Sequence, residues 1–257
     1  MADVFIGTSG FSYSHWKGVF YPQNLPQKDW FEFYCQNFST VEINSSFYHL
    51  SKKTTFEKWR REAGSNFVFS VKGWRWITHI KKLKNCQEEV RKFFEGANGL
   101  KAKSLKLKSK NYNLNLKNKD IILWQLPPNL AFDELRLKKF LELLPGNWHY
   151  AFELRHQSWG NEKTWEILRQ YNAAVVFQDY PEWPIFEEIT ADFVYLRFHG
   201  KTNLYSSCYT KEELKEWAEK IKIWLGQGLD VYAYFNNDAM GWAVENAKTL
   251  KILSTKS

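Results

Sequence analysis

The sequence predicts a single (β/α)8 barrel of the TIM type, on three observations. Eight short apolar runs lie along the 257 residues, separated by longer and mostly helical segments; parallel strands need such crossovers of a dozen residues or more. Eight strand–helix units in roughly 250 residues is also the size at which a barrel closes. Several of the runs alternate apolar with polar residues and place an ionisable or amide residue at their carboxyl end. A doubly wound open sheet is the alternative, but its strands are buried on both faces and would read as near-continuous Val/Ile/Leu runs.

A strand sends alternate side chains to opposite faces, so each run divides into an outward and an inward set. Val4–Gly7 enters "GTSGF" (7–11), a tight turn in which Thr8 and Ser9 are available to donate hydrogen bonds. A helix is predicted near 28–38. Thr40–Asn44 turns Val41 and Ile43 outward and Glu42 and Asn44 inward, with a helix near 54–63 behind it. Phe67–Lys72 adds Ser70 and Lys72 to the inward set; a helix near 87–98, the strand Ile121–Gln125 and a helix near 133–144 follow. Trp148–Arg155 is apolar outward at Tyr150, Phe152 and Leu154, and turns Ala151, Glu153 and Arg155 into the lumen. After a helix near 162–171 comes Ala174–Gln178, then "DYPEWPIFEEITAD", too short and too proline-rich for a helix. Phe193–His199 directs Tyr195, Arg197 and His199 inward, and the helix near 211–226 opens on a capping box of Thr210 and Glu213. Val231–Asn236 points Tyr232, Tyr234 and Asn236 inward. The last helix, near 239–253, takes Asn237 or Asp238 as its N-cap, and its N-terminus is also a seat suited to an anion.

Composition narrows the class. Apolar residues make up 44% and aromatics 18%, as in a chain with a packed core. No run of 18 or more apolar residues exists, which excludes a spanning helix. The opening "MADVFIGTSG" carries no cleavable targeting pattern, and three distant cysteines without a Cys-x-x-Cys fit a reducing compartment. A cytoplasmic protein with no membrane association is therefore expected, its oligomeric state left open. The net charge of +8 is local: residues 101–119 hold seven lysines and no acid, leaving +1 for the remainder. That stretch reads as a lysine-rich hairpin or flap inserted before the fourth strand, with lysines that discourage edge pairing. An anion-binding arm is the second reading. The whole of 1–257 is then one domain.

The rim at the carboxyl ends of the strands is where barrel active sites sit. Glu42, Glu153, Arg155, Arg197 and His199 converge on it from separate strands. Buried charges persist only when paired, so an ion-pair layer bracing the mouth is the plain alternative to a site. The loop "KGWRWITHIKKLK" interleaves Trp74 and Trp76 with Arg75, Lys81, Lys82 and Lys84 and carries His79, a pattern suited to stacking a ring beside an anionic group. "HGKTN" (199–203) has Tyr195 where a phosphate loop needs glycine, and "GTSGF" lacks the third glycine of a dinucleotide fingerprint. No cofactor is assigned. A divalent metal on His79, His199, Glu42, Glu153 or Asp179 is considered and not favoured, since no H-E-x-x-H or paired His occurs. No G-x-S-x-G elbow supports an acyl-enzyme route.

The segments "GTSGFSYSHWKGVFYP", "TVEINSSFYHL", "FVFSVKGWRWITH", "LWQLPPN", "FELRHQSW", "VYLRFHG" and "YFNNDAMGWAVENA" resemble, in order and nearly end to end, the YecE-like family, domain of unknown function 72. The resemblance implies a TIM-type barrel, in outline similar to metal-using barrel nucleases and sugar isomerases, and implies no particular reaction. It places characteristic polar positions on Glu42, Asn44, Tyr48, Lys72, His79, Gln125, Glu153, Arg155, His156, Trp159, Arg197, His199, Asn236 and Asn237. Phe11 stands where that family usually has Trp, and the stretch 101–119 is longer and more basic than expected there.

Taken together these readings point to a hydrolase or lyase acting on an anionic, phosphate-bearing substrate, such as a sugar phosphate or a nucleic-acid fragment. Glu42, Glu153, His79 and His199 are its candidate acid–base residues. Asn44, Tyr48, Lys72, Trp74, Arg75, Gln125, Arg155, His156, Trp159, Arg197, Asn236 and Asn237 are its candidate binding residues, the arginines matching phosphate oxygens with their forked donors. The alternatives are a glycosidase-like enzyme built on Glu42 and Glu153, and a non-catalytic nucleic-acid-binding protein using the lysine-rich flap.

Overall fold

A computed structural model describes residues 2–101 and 120–255. Eight strands, β1 (Val4–Thr8), β2 (Thr40–Ile43), β3 (Val68–Lys72), β4 (Ile121–Gln125), β5 (His149–Glu153), β6 (Ala173–Gln178), β7 (Phe193–Phe198) and β8 (Asp230–Phe235), form one sheet in the order β1-β8-β7-β6-β5-β4-β3-β2. Every pairing is parallel. The ends of the series meet at an isolated parallel bridge between Ser9 and Glu42, where the Gly10 amide donates to the Glu42 carbonyl at 2.8 Å. Gly7 permits this closure: a Cβ there would lie 2.4 Å from the Thr40 carbonyl oxygen, inside any allowed contact. The barrel is nearly closed, as the (β/α)8 reading expected.

Helices α1 (Trp30–Asn37), α2 (Ser45–Tyr48), α3 (Lys53–Ala63), α4 (Gln87–Ala97), α5 (Glu134–Glu142), α6 (Glu162–Gln170), α7 (Lys211–Gly226) and α8 (Trp242–Thr255) cover the outside. The alternation read from the sequence sorts the core into two compartments. Outward residues such as Val41, Ile43, Tyr150, Phe152, Leu154, Val194, Leu196 and Phe198 pack with the helices. Inward residues, among them Leu123, Ala151, Val176, Tyr195, Tyr232 and Tyr234, fill the lumen. The barrel is a packed core and not a pore.

Three local readings need correction. The last α-helix begins at Trp242, after a short 3-10 turn at Ala239–Gly241 that holds Met240 at a left-handed φ of 60°. Neither residue proposed as its cap acts as one by side chain: the Asp238 carboxylate turns away to Trp16 Nε1 (2.7 Å) and His15 Nε2 (3.0 Å). The buried Asn237 amide donates instead to the Ser207 carbonyl and Asn246 Oδ1. Second, a short helix at Ser45–Tyr48, unmarked by any long period, directly follows β2. Third, the segment after β3 is neither open loop nor ordinary helix. Residues Trp76–Ile80 form a π-helical turn in which the Lys81 amide reaches back to the Trp76 carbonyl at 2.8 Å.

Two other local readings hold. The capping box at Thr210 and Glu213 is present in both directions, and the proline-rich connection between β6 and β7 contains no helix. The lysine-rich hairpin or flap read at 101–119 lies outside the described residues apart from Lys101. Cys35, Cys86 and Cys208 are all unpaired. Among the described residues, no helix is long and apolar enough to cross a membrane.

Candidate functional site

The carboxyl ends of β2, β5 and β7 bring three charged side chains into contact, each at most 1% exposed: Glu42, Glu153 and Arg197. The Arg197 guanidinium grips Glu42 with two donors, Nε to Oε2 at 2.9 Å and Nη2 to Oε1 at 2.7 Å, and reaches Glu153 Oε2 with Nη1. Ser9 Oγ also donates to Glu42 Oε1, and Tyr195 Oη donates to Oε2 at 2.8 Å from the layer below. Arg155 closes the set, its Nε 2.6 Å from Glu153 Oε1. All four carboxylate oxygens are therefore occupied by arginine, serine or tyrosine donors. Such pairing is what lets charges survive burial.

This satisfaction fixes protonation. Burial by itself raises the Glu153 carboxyl, but Arg155, Arg197, His199 and Lys72 together outweigh it and hold it well below the ordinary range. Arg197 is opposed by burial too, yet Glu153 and Glu42 keep it charged. His199, fully buried, is driven well below the ordinary histidine value by burial, then by Arg197, against the pull of Glu153. It is a neutral imidazole. With the Asn236 amide nitrogen facing Nδ1 at 3.3 Å, the ring proton belongs on Nε2. That Nε2 has no hydrogen-bond partner among the described residues and lies 3.9 Å from Glu153 Oε2.

Two cations complete the cluster. Lys72, the last residue of β3, extends over the Phe47 ring with Nζ 4.3 Å from its centroid and forms no ion pair among the described residues. Two guanidiniums already balance two carboxylates, so a charged Lys72 is a third cation in a poorly solvated place. Burial first, then Arg197, lowers its pKa to about 7. Arg155 lies flat under Trp183, its guanidinium carbon 3.6 Å from the ring centroid, and its terminal nitrogens have no partner among the described residues.

His79 reaches the same neighbourhood from the π-turn, its ring edge-on to Phe47 at 5.0 Å and one nitrogen 2.8 Å from Thr78 Oγ1. Burial, then Lys72, lowers it to about 4, so it too is neutral near pH 7. The π-turn is followed by Lys82, Leu83 and Asn85, all at left-handed φ between 48° and 65°. Non-glycine residues hold that conformation at a cost, and such strain gathers where a loop must present a side chain in one place.

The other sequence-predicted residues divide by location. Asn44 donates to Ser9 Oγ at 2.6 Å, beneath the mouth. Gln125 pairs in register with Glu153 at the same height. Trp74 and Trp76 stack at 6.0 Å, and with Arg75 and Tyr48 they offer exposed or half-buried surface beside Lys72 and His79. His156 is engaged locally with Ser158, and Trp159 is fully buried with Nε1 on the Leu130 carbonyl at 2.7 Å; both serve the β5–α6 turn rather than the ionic cluster. Phe11 packs on Phe31 at 4.7 Å among the first helices.

Three residues at the mouth were not singled out from sequence. Trp183 covers Arg155 and meets His199 edge-on at 5.0 Å. Tyr205, left-handed at φ 63°, flanks His199 at 5.8 Å. Tyr209 donates to Asp179, whose other oxygen accepts the His199 amide at 2.9 Å. Trp183 lies in the connection set aside for its prolines; the tryptophan between them was the available signal. Among the described residues, no group of three His, Cys, Asp or Glu is arranged to hold a metal ion.

A family model described as "Protein of unknown function DUF72" matches residues 5–256. The chain is 22% identical to the "UPF0759 protein YunF" of Bacillus subtilis, over 96% of this chain and 93% of that one. It is 24% identical to the "UPF0759 protein YecE" of Escherichia coli, over 85% and 83% of the two chains. A solved DUF72 family protein of Thermotoga maritima superposes with a TM-score of 0.82 at 29% identity, covering 99% of this chain and all of that one (100%). One from Enterococcus faecalis gives 0.80 at 19% identity, over 99% and 96%, a likeness of fold.

Proposed function

This chain belongs to the DUF72 family, and on that premise we propose that it is an enzyme, a hydrolase or lyase, acting on a small anionic substrate that carries phosphate at the carboxyl-end rim of the barrel. One observation carries the reading: among the described residues, Lys72, Arg155 and Arg197 meet only two carboxylates, and the unpaired donors are those of Lys72 and the terminal nitrogens of Arg155. A phosphate placed there supplies the missing negative charge and matches the open side of the Arg155 fork.

On this reading the four acid–base candidates take different tasks. Glu42 and Glu153, bonded at every oxygen and held apart by a guanidinium, serve as the frame. Glu153 also stands behind His199, 3.9 Å away, as a carboxylate that orients an imidazole and stabilises it once protonated. The neutral His199 and His79 are the proton carriers. A glycosidase built on Glu42 and Glu153 lacks this support, because Arg197 fills the space between the carboxylates that a sugar bond would need. The nucleic-acid reading rests on the lysine-rich stretch and draws nothing further from the rim.

Titration of the whole chain with inorganic phosphate and with a set of sugar phosphates, followed by calorimetry, tests the reading. Arg155→Ala should weaken phosphate binding about 10-fold or more, the worth of a charge-assisted pair, measured well below a melting temperature that itself falls because Glu153 Oε1 loses its donor. Equal affinity in the variant, or no phosphate binding by the natural chain, defeats it.

A further inference from the structure

Lys72 stands out from the other basic residues of the mouth. Its side chain leaves the end of β3 beside the Glu42–Arg197–Glu153 frame, yet both carboxylates are already claimed by arginines. Among the described residues its ammonium therefore has only the face of Phe47 for company. The charges surrounding it are two guanidiniums, Arg197 and Arg155, and two carboxylates, Glu153 and Glu42, a set with no net charge to hold a further cation. His79 shares the Phe47 ring and is neutral. A lysine placed among cations, half-buried, unpaired and next to a neutral imidazole has the surroundings that turn an ammonium into a nucleophilic amine.

From this arrangement we infer that Lys72 forms a covalent imine with a carbonyl group of the substrate, the anionic end of which rests on Arg155. The inference deepens the reading above, and rests on it for the anion seat; it narrows the reaction to a lyase that uses the imine as an electron sink. The lysine nitrogen adds to the carbonyl carbon, giving a carbinolamine. The carbonyl oxygen then departs as water, carrying away the two hydrogens of the amine, with His79 placed to relay them. Once its nitrogen has taken up a proton, the carbon–nitrogen double bond accepts the electron pair of a carbon–carbon bond on the neighbouring carbon. The departing carbon, which bears a hydroxyl, leaves as an aldehyde by giving that hydroxyl's proton to His79. The enamine left on Lys72 takes a proton on carbon to become the imine again. The bond to Lys72 is hydrolysed afterwards by one water, which restores amine and carbonyl. No oxidant, reductant or metal enters the balance.

The amine's availability is what separates Lys72 from the surface lysines. At neutral pH an ordinary lysine of pKa about 10.4 is free amine in well under one part in a thousand, whereas Lys72, at about 7, is roughly half free amine. Two carbonyl probes differ in their anionic group: glyceraldehyde 3-phosphate carries phosphate and pyruvate carries carboxylate.

The test is borohydride trapping on the full chain at neutral pH with each probe at sub-millimolar concentration, followed by peptide mapping. A reduced adduct on Lys72 at least about 10-fold above that on any other lysine is the expected result, given the difference in free amine. Lys72→Arg should lose that adduct, and calorimetry with inorganic phosphate on the natural chain reads the anion seat separately. Adduct from glyceraldehyde 3-phosphate alone supports a phosphate seat; adduct from pyruvate alone supports the imine and moves the seat to carboxylates. Phosphate bound with Lys72 unlabelled by either probe overturns the imine and leaves the anion site standing. Neither binding nor labelling overturns both.

Discussion

Arg197 is the residue on which the mouth depends, because it touches both buried glutamates at once. Removing one partner of such a set leaves uncompensated charge in a place of low polarity. Arg197→Met should cost about 3–5 kcal/mol in chemical denaturation. Replacing these three charges and Arg155 together by apolar residues of similar volume should cost far less, since no member of an ion pair is left without its partner. A small loss in the single variant would mean that the carboxylates find other partners, and the frame would not be one. Lys72 makes a prediction of opposite sign. Its folded pKa of about 7 lies below the unfolded value of 10.5, so between those values the unfolded chain binds more protons. Stability contributed through this group therefore rises with pH across that window, and the cost of burying the charge is fully present below about 7. Lys72→Met should be more stable than the natural chain at pH 7 or below, by on the order of 2 kcal/mol after screening. The advantage should vanish towards pH 10.5. A variant less stable at every pH would mean that Lys72 is stabilised by an ion pair.

At the scale of elements, the joint between β1 and β2 is the weak seam of the barrel. It is closed by the Ser9–Glu42 bridge and by the close approach at Gly7 instead of by a long ladder. Gly7→Ala drives a methyl group into the Thr40 carbonyl, and either strand must shift. A loss of about 1–3 kcal/mol is expected. Because Ser9 and Glu42 sit two rungs above, the same change should also weaken phosphate binding, a coupling that calorimetry on the variant would detect. Unchanged binding would detach the seam from the site. The π-turn after β3 belongs to this scale as well. Period and capping rules describe regular helices, so a turn with one extra residue per hydrogen bond leaves no period in a window that short. His79 was recognised as a rim residue from its position after β3; how it approaches Phe47 was set by the π-turn.

For the whole molecule the mouth is a set of coupled titrations. His79 at about 4 and His199 well below 6.5 stay neutral in the folded state, so the unfolded chain takes up protons first as pH falls below 6.5. Glu153, held low, adds a loss of stability below 4.5. Asp179 works the other way: raised by burial to about 6 from 3.8, it holds its proton longer when folded, and stability from this group falls as pH rises between those values. Asp238, raised by burial to about 6 from 3.8, and Asp120, also raised by burial, act in the same direction as Asp179. The two sets oppose each other, so the histidine contribution is read by difference. As pH is lowered from 6.5 towards 4, the midpoint of urea unfolding of His199→Asn should fall less, or rise more, than that of the natural chain. Identical profiles for the two chains would mean that the His199 imidazole is charged in the fold.

Much of this protein was legible from its chain. The period of two in "TVEIN", "HYAFELR" and "VYLRFHG" sorts every inward and outward residue of β2, β5 and β7 correctly, because side-chain alternation is a local property of extended backbone. The count of strands and the spacing of helices determine the barrel, since parallel strands leave few other closures. What only the tertiary structure decides is which charges meet. That Lys72 is left over follows from contacts between residues 28 to 155 positions apart: Arg197 spans Glu42 and Glu153, and Trp183 from the proline-rich connection covers Arg155. No pattern along a chain encodes a pairing across a closed ring of strands. Partner choice, and with it the protonation of every group at the mouth, waits for the ring to close.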